Sequence, residues 1–254
     1  MEHVIHGLPV VTGPHWPGVH YFCTTRQGGV GEAPHDTLNL GLRADDRPEV
    51  VRENRRRVRA AVPSEPLWLR QVHGADVVDA DVLAGIPLPE PAADASVTAA
   101  RRRVLAIMVA DCLPVFITDL DGKVVGAAHA GWRGLAAGVL ENTLDRLRAK
   151  HPGARGWRAW VGPGIGPEHF EVGDDVRDAF APLGAEALPH FKPRPAHPGK
   201  WLADLPALAL LRLQRAGVED VHACGLCTVS DAERFFSYRR DGITGRMALL
   251  AWRE

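Results

Sequence analysis

The stretch VFITDLDGKVVGAAHAGWRG (115–134) constrains the fold more than any other. Two apolar runs of strand length flank Asp121-Gly122, a pair that supplies the backbone conformation of a tight β-hairpin turn. Reflected about that turn, Cys112 falls opposite residue 131, so Cys112 and His129 are expected at the same end of one sheet. Pro114 is expected to interrupt the ladder there and free residues 111–113 as a loop, with Gly131 and Gly134 doing the same for the other strand.

Apolar or alternating runs bounded by Gly, Pro and Asp place further strands at about 19–24, 68–73, 76–80, 104–110, 157–162, 220–224 and 247–252, beside the hairpin strands at 114–119 and 123–129. Helices are expected at about 47–61, 134–149, 174–181 and 204–216. In the second of these, Leu135, Val139, Leu140, Leu144 and Leu147 share one face that must pack on a sheet. Strands and helices lack a regular βαβα alternation, which predicts an α/β fold of mixed sheets covered by helices and argues against a doubly wound nucleotide fold. With 254 residues, 46% of them hydrophobic, and no repeat or low-complexity linker, a single domain over 1–254 is the simplest organisation. The Pro-rich patches at 85–91 and 189–198 read as surface loops.

Thirty basic against 31 acidic residues leave a formal net charge of −1, which gives no reason to expect a nucleic-acid or anionic-membrane partner. The run Arg55, Arg56, Arg57, Arg59 sits among acids and reads as a solvated helix face. No leader-like segment and no apolar run of about 18 residues is present, which predicts a cytoplasmic protein. Four cysteines are too few for a disulfide scaffold, so each is weighed as thiol, nucleophile or ligand.

His73 ends another strand-like run and is followed by glycine. Together with Cys112 and His129 it offers two nitrogens and one thiolate, the donor set of a zinc site with an open fourth position. The spacing matches no compact zinc signature, so three readings stand: a metal triad, structural histidines beside a buried thiol, or a Cys/His nucleophile pair. Cys224-Gly-Leu-Cys227 has no second CxxC and no thioredoxin-like context, and is read as coincidence. The glycines at 162, 164 and 166 lack nucleotide-loop spacing and read as a rigid loop near the site. Arg133 precedes helix N-terminal amides and is a candidate anion contact or a plain surface residue. Arg239, Arg240 and Arg246 either add anion contacts or pair with acids.

The blocks CTTRQGGVGEAPHDTLNLG (23–41), WLRQVHGADVV (68–78), ADASVT (93–98), ADCLPVFI (110–117), AAHAGWRGLAAGVLE (127–141), GPGIGPEHFEVG (162–173) and CTVSDAERFFSYRRDGITGRMA (227–248) together resemble the YfiH family, also called laccase-domain or polyphenol oxidase proteins. The resemblance covers nearly the whole chain. It implies metal ligation by His73, Cys112 and His129, and a single α/β/β/α domain related to the cytotoxic necrotising factor deamidases. It also implies phosphorolysis of adenosine, inosine, guanosine and 5′-methylthioadenosine by inorganic phosphate, with deamination of adenosine. On that reading Zn2+ is the expected cofactor, with Cu2+ the alternative, and the protein acts as a monomer or homodimer. Asp111 is the candidate proton shuttle, while Arg26, Asn39 and Arg133 are candidate substrate or phosphate contacts. Two other activities remain: a peptidoglycan editing hydrolase removing L-serine from UDP-MurNAc peptide precursors, and copper-dependent polyphenol oxidation. The second is disfavoured because the several His-x-His pairs of a multicopper site are missing.

Overall fold

The structure is a computed structural model that describes residues 2–83 and 89–254. Its first half comprises β1 (Glu2–Ile5), β2 (Leu8–Val11), β3 (Val19–Thr24), α1 (Pro48–Ala60), β4 (Val77–Asp79), β5 (Ala95–Thr98), β6 (Leu105–Val109), β7 (Leu113–Asp119) and β8 (Val125–Ala130). The second half comprises α2 (Trp132–Ala136), α3 (Val139–Lys150), β9 (Trp157–Val161), β10 (Glu171–Gly173), α4 (Asp174–Ala179), a 3-10 segment (Ala181–His190), β11 (Phe191–Pro193), β12 (Lys200–Ala203), α5 (Leu205–Arg215), β13 (Asp220–Ala223), α6 (Tyr238–Asp241) and β14 (Met247–Arg253). Three sheets form, with strand orders β1-β2-β3-β14-β6, β13-β9-β7-β8-β5-β4 and β10-β12-β11. The six-stranded sheet is mixed, since β13 pairs β9 and β4 pairs β5 in parallel while its other pairs are antiparallel.

Side-chain alternation along the strands builds the layers. Phe116, Ala127 and Trp160 of the six-stranded sheet meet Tyr21, Ile107 and Leu249 of the five-stranded sheet in an inner core. The neighbours Val115, Ile117 and Ala128 face the other way, onto Leu140, Leu144 and Leu147 of α3 and Leu208 and Leu213 of α5. On the far side, Phe22, Ala106 and Leu250 pack against Val58 of α1. The result is the expected helix, sheet, sheet, helix order. Alternation along β8 places His129 on the face of Val125 and Ala127, at the end of the inter-sheet layer.

The hairpin register is the one the turn predicts: Leu113 pairs Ala130 and Pro114 pairs His129, so Cys112 and Gly131 follow at the open end. Pro114, however, does not break the ladder. The His129 N–H goes to the Asp94 carbonyl at 2.7 Å, so the 114–129 pair needs no amide from the proline, whose own carbonyl accepts from Gly162 N–H at 2.9 Å.

Other expectations shift. The strand expected at 68–73 is replaced by single bridges at Leu67 and Arg70, because the amides that follow turn to a side chain instead of a neighbouring strand. The helix expected at 134–149 divides into α2 and α3 at Gly138, which adopts a left-handed φ of 92°. The helix expected at 174–181 ends at Ala179 and continues as the 3-10 segment. The patch at 189–198 contributes β11 and the turn before β12, while residues 85–88 of the other Pro-rich patch lie outside the described residues. In α1, Arg56 and Arg57 pair with Glu53 on the surface, but Arg55 is mostly buried, ion-paired to Glu90 and stacked on Trp68.

Leu144 is fully buried between α3 and the sheet. Its replacement by Ala is expected to cost about 2–5 kcal/mol in urea unfolding. Because the site lies beyond the strand ends, metal content should not change.

Candidate metal centre and its cavity

His129 closes β8, Cys112 immediately precedes β7, and His73 arrives on the chain entering β4. One donor atom from each lies within 4.8 Å of the others. The His73 and His129 rings meet edge to face at 4.9 Å between centroids. Two of the loops adopt left-handed backbone at non-glycine residues, His73 (φ 61°) and Asp111 (φ 87°), the kind of local strain that gathers at functional sites. Gly131 is required by space: a Cβ there would stand 2.7 Å from the Cys112 sulfur and 3.2 Å from His73 Cδ2.

Asp94, in the loop before β5, holds these pieces together. Its carboxylate accepts from the N–H groups of Val72 (3.1 Å), His73 (2.9 Å) and Gly74 (2.7 Å), and from His129 Nδ1 at 2.8 Å. The side chain is fully buried. Burial works to raise its pKa, but the bonds from His129 and the loop amides outweigh it and hold the carboxyl below its usual range. With Nδ1 donating to Asp94, His129 keeps Nε2 for a metal, the arrangement in which a carboxylate behind the ligand orients a ligating imidazole. Asp94 lies in the block ADASVT, whose residues carry no recognisable ligand or catalytic pattern. A lone acid at the head of a strand of small residues is the one available signal.

The thiol is primed as well. Burial alone would raise the Cys112 pKa, yet the flanking His129 and His73 bring it down from 9 to about 6. Burial would lower His129, but the Cys112 thiolate and Asp94 lift it to about 9. Two imidazoles and a thiolate, one imidazole already oriented, fit a tetrahedral metal with three protein ligands. The other His/Asp cluster among the described residues, Asp119, Asp121 and His151, lies at the opposite end of the hairpin. There Asp119 caps the amides of Lys123 and Val124 and Asp121 pairs with Arg155.

The triad opens onto a cavity of about 520 Å³, the size of a small-molecule site. Its wall is apolar at Leu69, Met108, Ile165, Phe170 and Leu205, and carries Asp111, Arg43, Arg239 and Arg246. The Gly-Pro loop does border the site: Ile165 N–H donates to the Asp111 carbonyl at 2.8 Å. Asp111 is buried, and its carboxylate accepts from Thr228 Oγ1 and Arg239 N–H, both at 2.6 Å. Thr228 follows Cys227, so the CxxC segment supports the site through its neighbour. All four cysteines are free.

The other three candidates stand outside the cavity wall. Arg26 donates to the Asp36 and Ala232 carbonyls and pairs with the Asp36 carboxylate, stacked on Phe236. Arg133 is exposed and lies over Trp132. Asn39 is fully buried, with both ends of its amide engaged by Asp46, Gly41 and Arg246. Of the C-terminal arginines, Arg239 and Arg246 line the cavity, whereas Arg240 pairs with Asp241 and caps the carbonyls of Thr228, Val229 and Phe235.

Residues 20–254 match the family described as multi-copper polyphenol oxidoreductase laccase. The chain belongs to this laccase-like YfiH family. A purine nucleoside phosphorylase of Pseudomonas aeruginosa is 51% identical over 242 residues, covering 94% of this chain and 96% of that protein. The purine nucleoside phosphorylase YfiH of Escherichia coli is 48% identical over 244 residues, covering 94% and 97%. Among solved structures, a Neisseria meningitidis protein superposes with a TM-score of 0.87 at 44% identity over 96% of this chain and 98% of that one. The Bacillus licheniformis hypothetical protein YfiH gives 0.85 at 30% identity, covering 94% of each chain. The YfiH fold is therefore shared, as a mixed α/β single domain.

Two outcomes follow for the centre. Asp94→Asn removes the anionic acceptor and is expected to weaken metal binding about 10–100-fold in chelator competition. In metal-free protein, the Cys112 alkylation rate should rise with pH around an inflection near 6. The lowered Cys112 pKa contributes stability that is complete above pH 9 and is lost as pH falls toward 6, whereas the raised His129 pKa contributes stability that is complete below 6.5 and is lost as pH rises toward 9, so the two offset and the stability of the metal-free fold is expected to be nearly flat between those limits. An ordinary thiol inflection near 9 contradicts this electrostatic account.

Proposed function

We propose that this protein is a zinc-dependent purine nucleoside phosphorylase that also deaminates adenosine. The observation that carries the reading is the convergence of His73, Cys112 and His129 on a largely apolar cavity of about 520 Å³. The names borne by relatives at about half identity point to the same chemistry. Bound there, zinc supplies Lewis acidity at an open coordination position, and Cu2+ is the alternative for the same donor set.

Adenosine, inosine, guanosine and 5′-methylthioadenosine share a flat base and a ribose. Phe170 and Trp132 offer aromatic surface to such a base, and Leu69 and Met108 exclude water around it. In phosphorolysis a phosphate oxygen bonds to C1′ as the C1′–N9 bond breaks. The electron pair leaves with the purine, which takes up a proton, and ribose 1-phosphate remains. Asp111, in the cavity wall beside Cys112, is the group we assign to move that proton at its carboxylate oxygens. Thr228 and the Arg239 amide hold those oxygens in place. Arg26, Asn39 and Arg133 act outside the wall, so direct phosphate contact passes to other residues. Four free thiols accord with a cytoplasmic setting.

The test combines metal analysis with product chromatography. Wild type should hold about one zinc per chain and release adenine from adenosine only when phosphate is present, and Cys112→Ala should lose both properties. Zinc-loaded protein that leaves nucleosides untouched with phosphate present excludes the reading.

A further inference from the structure

Two cationic or imidazole groups of the cavity wall, Arg43 and His129, have a carboxylate partner. Arg43 pairs with Glu90 at 2.6 Å, and the triad is served by Asp94. Arg239 and Arg246 differ. Among the described residues neither makes an ion pair with a carboxylate, and each guanidinium is anchored in the same way. Arg246 Nη1 donates to the carbonyls of Thr244 (2.7 Å) and Gly245 (2.9 Å). Arg239 Nη1 donates to those of His169 (3.2 Å) and Glu171 (3.0 Å). Nε and Nη2 of both, the edge that forks around an oxyanion, have no partner among the described residues.

The aim of Arg246 is built into the fold. Its N–H donates to Asn39 Oδ1 at 2.9 Å and its carbonyl accepts from Leu40 N–H at 3.0 Å. Asn39 is itself clamped by Asp46 and Gly41. A Cβ at Gly41 would stand 2.7 Å from Arg246 Cγ, so that glycine clears the path of the side chain. Arg239 is placed by its own N–H on Asp111, next to the ligand Cys112. Two cations with preset donors and no carboxylate at ion-pair distance among the described residues, Arg246 half-buried and Arg239 exposed, form beside a metal centre a site for a small oxyanion.

We propose that Arg246 and Arg239 form the phosphate subsite of the cavity, with Asn39 and Gly41 as positioning residues. The ligand is inorganic phosphate, held by the two guanidinium edges in the cavity wall. This rests on the phosphorolysis reading for its role, but the binding can be measured without turnover.

Zinc-loaded wild type, Arg246→Met, Arg239→Met and Gly41→Ala are titrated calorimetrically with inorganic phosphate and, separately, with adenosine 5′-monophosphate. Their KM values for phosphate and adenosine are also determined. Arg246→Met is expected to weaken phosphate binding about tenfold or more and to raise the KM for phosphate. The KM for adenosine and the zinc content should stay near wild type. Gly41→Ala, which keeps the charge but displaces it, should move phosphate affinity in the same direction, and covers the case of an unstable Arg246 variant. Phosphate binding unchanged in both variants overturns the subsite, even if wild type phosphorolyses adenosine and the functional reading stands. Nucleotide binding that depends on Arg246 while free-phosphate binding does not overturns it as well, in favour of a phosphate carried on the nucleoside. If wild type binds no phosphate the subsite falls, and absence of phosphate-dependent base release in the same preparation removes the functional reading separately.

Discussion

A single fully buried carboxylate, Asp94, ties three separate parts of the chain into one centre. A buried charge is costly unless its hydrogen-bonding capacity is met, and Asp94 meets it with three consecutive loop amides and an imidazole. Those same bonds decide where His73 can stand and which nitrogen of His129 is free. Its backbone takes part too, since the carbonyl accepts the His129 amide. Ligand geometry therefore depends on the β5–β8 pairing, and through it on the packing of the whole six-stranded sheet.

From this follows a division of labour around the cavity. The sandwich supplies a rigid edge on which His129 and Cys112 sit at strand ends, and the loops supply the rest. Asp94 acts on the metal side, Asp111 sits between the metal side and the arginine side, and Asn39 acts from behind Arg246. In each case a buried polar side chain fixes backbone amides and leaves another group free for ligand. Rigid support of this kind keeps reacting groups within the small tolerances that catalysis needs.

Much of this was legible in the residues. Asp121-Gly122 between two apolar runs gives the hairpin, its register, and the meeting of Cys112 with His129. Periodicity gives the buried face of α3. His73 is a candidate from its residue type and its place before a glycine at the end of a strand-like run, and the resemblance to the YfiH family singles it out. What stayed hidden involves partners that have no sequence signature. Three of the four donors to Asp94 are backbone amides about twenty positions away, so neither ADASVT nor QVHG announces the contact. The expected strand at 68–73 fails for the same reason. The sequence leaves Arg239, Arg240 and Arg246 open between anion contacts and pairing with acids, and only the structure separates them: Arg240 pairs with Asp241, while Arg239 and Arg246 line the cavity without a carboxylate partner among the described residues. Small strands such as β5, made of Ala, Ser, Val and Thr, carry too little apolar signal to be read at all.

The central claim is a three-ligand metal site with one open position, oriented by Asp94. X-ray absorption spectroscopy of the zinc-loaded protein tests it most directly. The account predicts one sulfur at about 2.3 Å and two imidazole nitrogens at about 2.0–2.1 Å, with the remaining scatterer a light atom that exchanges with added ligand. A shell without sulfur, or one closed by a fourth protein ligand, would contradict it.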